Sequence, residues 1–252
     1  MTPNLFLLGA GKCGTTTVHH ALSLIPDVHT CKPKEPSFFC SYFNVVGDPI
    51  SYFNLFDSPA RWRCDASHVY FSNPETPPVL KALFPEARFI LILRDPVERA
   101  FSLFRHNRRL FHRDGRPFEL AETFEEALEC EDARLADPAF PRTCRQYLWN
   151  FAYAESSRFD VQIRRYFDLY PRERFHIATL DELKADPFAY AQSVAGFLDV
   201  GLPDGFAYAP KNLSEGGAQM SAKCRAYLED RLSGVRERTD ALAGRPLDWS
   251  RG

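Results

Sequence analysis

A chain of 252 residues, 45% hydrophobic and 25% charged, has ordinary globular composition, which excludes collagen-like, disordered and disulfide-scaffold classes. Its length suits one α/β domain spanning residues 1–252. With 31 basic against 33 acidic side chains it lacks the overall basicity of a nucleic-acid coat, so any anionic partner must meet a local patch.

Seven cysteines (Cys13, Cys31, Cys40, Cys64, Cys130, Cys144, Cys224) are odd in number and contain no C-x-x-C pair. That pattern indicates neither a zinc module nor a disulfide framework, and it suits a reducing compartment. No apolar stretch approaches the roughly 20 residues that span a bilayer; the longest clean run is Phe89 to Leu93. The first residues read directly as a strand feeding a glycine loop, with no signal-peptide regions ahead of it. A cytoplasmic location without a transmembrane segment is expected.

In chain order, Asn4 to Leu8 reads as a buried parallel strand ending at Gly9. Val18, Leu22 and Ile25 then recur at helical spacing until Pro26. Val28 to Glu35 is a poor strand because it contains Lys32-Pro33-Lys34. Lys32 to Pro78 is rich in proline and aromatics, with a short strand near Trp62 to Ala66 and little helical periodicity. Arg88 to Leu93 is a second buried strand, and Pro96 opens a helix carrying Val97, Ala100, Phe101 and Phe104 inward. Residues 105–145 are charged and partly helical, suited to a flap over a site. Gln146 to Tyr170 shows helical spacing, Phe175 to Ala178 a strand, and Pro187 to Leu198 a helix. A last long helix is expected from about Ser221 to Leu242, stopped by Gly244. Strands alternating with helices predict an α/β fold around a mostly parallel sheet.

The segment Gly9-Ala10-Gly11-Lys12-Cys13-Gly14-Thr15-Thr16-Thr17 lies between a strand and a helix, where free N–H groups and the helix dipole favour an anion. It does not fit a nucleotide triphosphatase loop, because the lysine comes too early. Gly9, Gly11 and Gly14 do satisfy G-x-G-x-x-G, yet the second strand and acidic residue of a dinucleotide site are poorly supplied. A third reading uses Lys12 and the threonine hydroxyls as phosphate ligands.

From Arg88 to Arg116 there are eight arginines against three acidic residues. Arg94 stands apart because it falls at the carboxyl end of a parallel strand, where open α/β sheets bind ligands. Ser102 lies two turns into the following helix, so a guanidinium and a hydroxyl can share one phosphate. Two anion sites in one sheet point to a nucleotide phosphorylated at both ends of its ribose. Asp95 is the one evident acidic candidate for the magnesium that a kinase would need, and no metal is expected.

With these residues in view, the chain resembles the sulfotransferases that use 3′-phosphoadenosine 5′-phosphosulfate (PAPS), closest to the branch containing heparan sulfate sulfotransferases and their bacterial relatives. NLFLLGAGKCGTTTVHHALSLIPDV is similar to that family's 5′-phosphosulfate loop, and ARFILILRDPVERAFSLF to its 3′-phosphate segment. KEPSFF, TFEEAL, FLDV and LAGRPLDW are similar to further family stretches. The resemblance implies a P-loop-like sulfotransferase fold. It implies that Lys12 contacts the phosphosulfate while Gly11, Cys13, Gly14, Thr15, Thr16 and Thr17 form its cradle. Arg94 and Ser102 would hold the 3′-phosphate, with Lys211 from a late loop, and Glu35 would be the general base. No metal is required, and adenosine 3′,5′-bisphosphate is the product.

Two positions depart from the family pattern. Where relatives carry a second lysine, CDASHVYF has Ala66, with His68 two residues on as a contact to the acceptor or an alternative base. In the loop Lys211 to Gly217 only Lys211 is basic. The resemblance implies an acceptor hydroxyl or amine on a small molecule, glycan or lipid, whose identity the sequence does not give. The competing functions are a kinase or NAD(P) enzyme and a non-catalytic module binding sulfated glycan.

Overall fold

Leu5-Phe6-Leu7-Leu8 carries no polar side chain and is buried at every position, as a strand covered on both faces must be. It is the centre of the sheet in the computed structural model, which describes residues 1–209 and 219–250. The elements in chain order are β1 (Leu5–Leu8), α1 (Thr15–Leu22), β2 (Val28–Thr30), α2 (Pro49–Asn54), β3 (Trp62–Asp65), α3 (Val69–Ser72), α4 (Thr76–Leu83), β4 (Arg88–Leu93) and α5 (Pro96–Arg109). There follow α6 (Phe124–Glu129), α7 (Glu131–Ala136), α8 (Phe140–Thr143), α9 (Phe159–Phe167), β5 (Phe175–Thr179), α10 (Leu180–Ala185), α11 (Pro187–Leu198), α12 (Ala222–Arg231) and α13 (Val235–Ala243).

Among the described residues the strands form one five-stranded parallel sheet in the order β2-β3-β1-β4-β5. From β1 the chain moves toward β2 and β3, and from β4 it moves the other way to β5. The carboxyl ends of the neighbours β1 and β4 therefore flank a topological switch point, the crevice where open α/β sheets hold ligands. Helices flank the sheet, as the alternation of elements predicts. A second apolar cluster joins α5 to α6 and α12 through Val97, Phe104, Phe124, Leu128 and Leu228.

Several expectations need correction. Val28–Thr30 does form a strand, paired with β3, because an edge strand can end before Pro33. The stretch before β4 contains α2, α3 and α4, which at four to eight residues are too short to show a period. Gln146 to Tyr170 is not one helix: two 3₁₀ turns, Leu148–Phe151 and Glu155–Ser157, precede α9. The last long helix is broken between α12 and α13, where Gly234 adopts a left-handed φ of 72°. The outer side of β5 is covered by side chains: Arg172 Nη1 donates to the Phe175 carbonyl at 2.6 Å and Arg245 Nη2 to that of Ile177 at 3.1 Å.

Candidate active site

The loop after β1 turns in a way that only particular residues permit. Gly9 has φ 143°, and a Cβ there would lie 2.5 Å from the Ile92 carbonyl. Gly14, at φ 96°, precedes α1, and a Cβ would lie 2.8 Å from Leu180 Cδ1. No side chain caps α1; in its first turn the Thr17 N–H donates to the Gly14 carbonyl at 3.0 Å. Lys12 itself is left-handed at φ 76°, a conformation that carries strain for a residue with a Cβ.

Gly11, Lys12, Gly14, Thr15, Thr16 and Thr17 line a cavity of about 330 Å³. The same cavity is lined by Arg94, which follows β4, and by Ser102 of α5. Glu35 and His68 complete the wall. Cys13 is not on the lining: its thiol is fully buried, which pushes its pKa up to about 11, and its N–H donates to the Ala10 carbonyl at 3.2 Å. Lys211 lies outside the described residues.

Neither Lys12 nor Arg94 forms an ion pair among the described residues. The Lys12 ammonium is held below its ordinary pKa, first by burial and then by the positive charges of Arg109 and Arg94. Cations arranged this way fit an anion. His106, one turn beyond Ser102, also lines the cavity, and burial beside Lys12 and Arg109 lowers it to about 4.

The carboxylate side is built by β3. Asp65, buried at its end, accepts from Tyr52 and Tyr70 hydroxyls at 2.8 and 3.1 Å and from the Ser67 N–H and hydroxyl at 2.9 and 2.6 Å. Burial raises it to about 6 despite those bonds. Ser67 Oγ accepts from the Ser37 N–H at 2.9 Å, tying the Glu35 segment to the turn that carries His68. Glu35 Oε2 then meets His68 Nδ1 at 2.9 Å, and Glu35 Oε1 accepts from Lys34 Nζ, which also donates to Thr15 Oγ1 at 3.2 Å. Burial alone raises the Glu35 carboxyl, but His68 and Lys34 together outweigh it and hold it well below the usual carboxylate range. With Nδ1 facing a carboxylate, the imidazole presents Nε2 toward Gly11, where a Cβ would lie 3.3 Å from that atom.

Sequence reasoning missed Lys34, Asp65, His106 and Arg99. The last is buried in α5 and donates from Nε to the Gly11 carbonyl at 3.0 Å. Asp95 caps α5 by accepting from the Val97 and Glu98 N–H groups at 3.0 Å, and it pairs with Arg236 at 2.5 Å. Among the described residues no group of three His, Cys, Asp or Glu is placed to hold a metal ion. The aromatics of residues 38–70 are chiefly packing: Phe38 stacks on Tyr52 at 4.5 Å, and Tyr52 and Tyr70 are fully buried, whereas Tyr42 is exposed.

A model of the sulfotransferase domain matches residues 2–212. Human bifunctional heparan sulfate N-deacetylase/N-sulfotransferase 2 is 27% identical over 206 residues, 79% of this chain and 22% of that protein, so the chain spans under a quarter of that relative. The membrane-associated sulfotransferase kil1 of Dictyostelium discoideum is 22% identical, covering 98% of this chain and 66% of that protein. Among solved structures, a sulfotransferase from Alicyclobacillus acidocaldarius superimposes with a TM-score of 0.77 at 27% identity, covering 97% of both chains. A mouse sulfotransferase complexed with PAP shares the fold, with a TM-score of 0.51 at 16% identity, covering 92% of this chain and 64% of that one. With the domain match running over most of its length, the chain belongs to the sulfotransferase family.

Proposed function

We propose that this sulfotransferase moves a sulfuryl group from PAPS to a hydroxyl or amine of an acceptor by in-line displacement, leaving adenosine 3′,5′-bisphosphate. The observation that carries the reading is the pair of cations, Lys12 and Arg94. They line one cavity at the ends of β1 and β4, and neither has an ion-pair partner among the described residues. When bound, the donor supplies an activated sulfuryl group on a phosphate leaving group.

The chain's own residues divide the remaining work. Lys12 Nζ, the threonine hydroxyls and the N–H groups at the start of α1 hold the leaving phosphate and offset its growing charge. Arg94 and Ser102 grip the 3′-phosphate and fix the direction of attack. Glu35 and His68 act as one base. Glu35 Oε2 meets Nδ1 at 2.9 Å and leaves Nε2 toward Gly11, so Glu35 orients the ring and the neutral imidazole takes the acceptor proton at Nε2.

Calorimetric titration of the purified protein with adenosine 3′,5′-bisphosphate, with and without magnesium, tests the donor. Binding without magnesium is expected, and a response only to ATP with magnesium, or only to NADPH, overturns the reading. Incubation with PAPS and a panel of phenols, amines, sugars and lipids, read by mass spectrometry, should give a product heavier by one sulfuryl group. Binding of sulfated polymer with no product from any acceptor would favour a non-catalytic module.

A further inference from the structure

Arg99 is a charged side chain where charge is costly. It is 1% exposed and has no carboxylate ion-pair partner among the described residues. Its guanidinium is instead shared between two places. Nε donates to the Gly11 carbonyl at 3.0 Å, while Nη1 donates to Ser156 Oγ at 2.5 Å and Ser157 Oγ at 3.1 Å. Those hydroxyls are themselves anchored, Ser156 donating to the Ala152 carbonyl and Ser157 to that of Tyr153. Burial draws Arg99 down to about 10, which leaves it charged at neutral pH.

Gly11 precedes the left-handed Lys12, whose ammonium is crowded by Arg109 and Arg94 rather than drawn to an acid. Locally the turn is closed by the Cys13 N–H on the Ala10 carbonyl at 3.2 Å, with Lys12 at its third position, and the Gly11 carbonyl inside that turn is the group that Arg99 holds. Arg99 lies on α5 one turn before Ser102 and shortly after Arg94, so its bond to Gly11 spans from the Arg94 side of the cavity to the Lys12 side. A Cβ added at Gly11 would lie 3.3 Å from the His68 ring, so a side chain there would meet the imidazole.

We infer that Arg99 is a positioning residue: its bond to the Gly11 carbonyl holds Lys12 in the left-handed turn and sets the spacing between the two anion-binding ends of the cavity. The inference rests on the nucleotide reading above. A guanidinium that merely filled the core would affect both ends alike, whereas one that fastens the Lys12 loop must affect the 5′ end selectively.

The test compares two probes, adenosine 3′,5′-bisphosphate and adenosine 3′-monophosphate, by calorimetry on wild type, Arg99→Met and Arg99→Lys. Arg99→Met should weaken the bisphosphate about tenfold or more and lower kcat, while the 3′-monophosphate changes less than about twofold. Arg99→Lys, still able to donate, should recover part of the loss. If Arg99→Met does not fold, Ser157→Ala is read instead, with a smaller loss on the bisphosphate alone. Equal losses on both probes, or no loss on either, overturn the inference. A wild-type protein that binds neither probe overturns the nucleotide reading itself.

Discussion

Lys12 combines two unfavourable features. Its backbone is left-handed, at about 1–2 kcal/mol for a residue with a Cβ, and its ammonium is withdrawn from water beside two arginines. Lys12→Ala should therefore unfold at no lower temperature than wild type while turnover falls about a hundredfold or more, as thermal scans and steady-state rates would show. The Glu35–His68 pair makes a second prediction. If His68 takes the proton, His68→Asn loses about 10²–10⁴ in kcat. Glu35→Gln, which can still accept from Nδ1, should then lose much less than Glu35→Ala; equal losses would return the base to Glu35. At this scale Lys12, Gly14, Arg94 and Ser102 were legible because each belongs to a local pattern of strand end and helix start. Arg99 was not, since its partners Gly11 and Ser156 are 88 and 57 positions away and only the folded sheet brings them together. Lys34 and Asp65 escaped notice for a related reason: their work is to hold Thr15, Glu35 and Ser67, and no residue type announces that.

At the scale of elements, α1 depends on the turn at Gly14, where positive φ and the Leu180 side chain both exclude a Cβ. Gly14→Ala should destabilise the protein by about 1–3 kcal/mol and reduce the stabilisation given by adenosine 3′,5′-bisphosphate, both measurable in thermal scans. The two long strand signals, β1 and β4, were legible because buried parallel strands are unbroken apolar runs. The short helices were not. In α2 and α4 proline stands in the first turn, which favours a helix start, yet each element ends before a hydrophobic repeat can declare itself. The break between α12 and α13 could be read only by preferring Gly234 to the apolar stripe that runs across it; the chain uses that glycine to start a new helix whose Arg236 reaches Asp95.

For the molecule as a whole, burial sets the pH dependence of stability. His19, His106 and His176 are each lowered from 6.5 to about 4, mainly by burial. Their contribution is complete above the unfolded value and is lost as pH falls through the folded one, because the unfolded chain takes up protons first. Asp65 runs the other way: raised to about 6, it adds stability at low pH that disappears as pH rises through that value. Glu131 and Asp181, also raised mainly by burial, act in the same direction as Asp65, so the histidine contribution is read by removing it: the unfolding temperature of His106→Asn should fall less than that of wild type as pH drops from about 7 to 4.5. The α/β class followed from the alternation of elements, but strand order did not, since β3 inserts between β2 and β1 for reasons of packing far apart in sequence. The two guanidinium groups laid along β5 also govern how the protein behaves in company. A neighbouring chain seeking to extend the sheet would find outward carbonyls of that rim already bonded and like-charged groups barring its approach, so crowding should yield discrete molecules rather than ribbons.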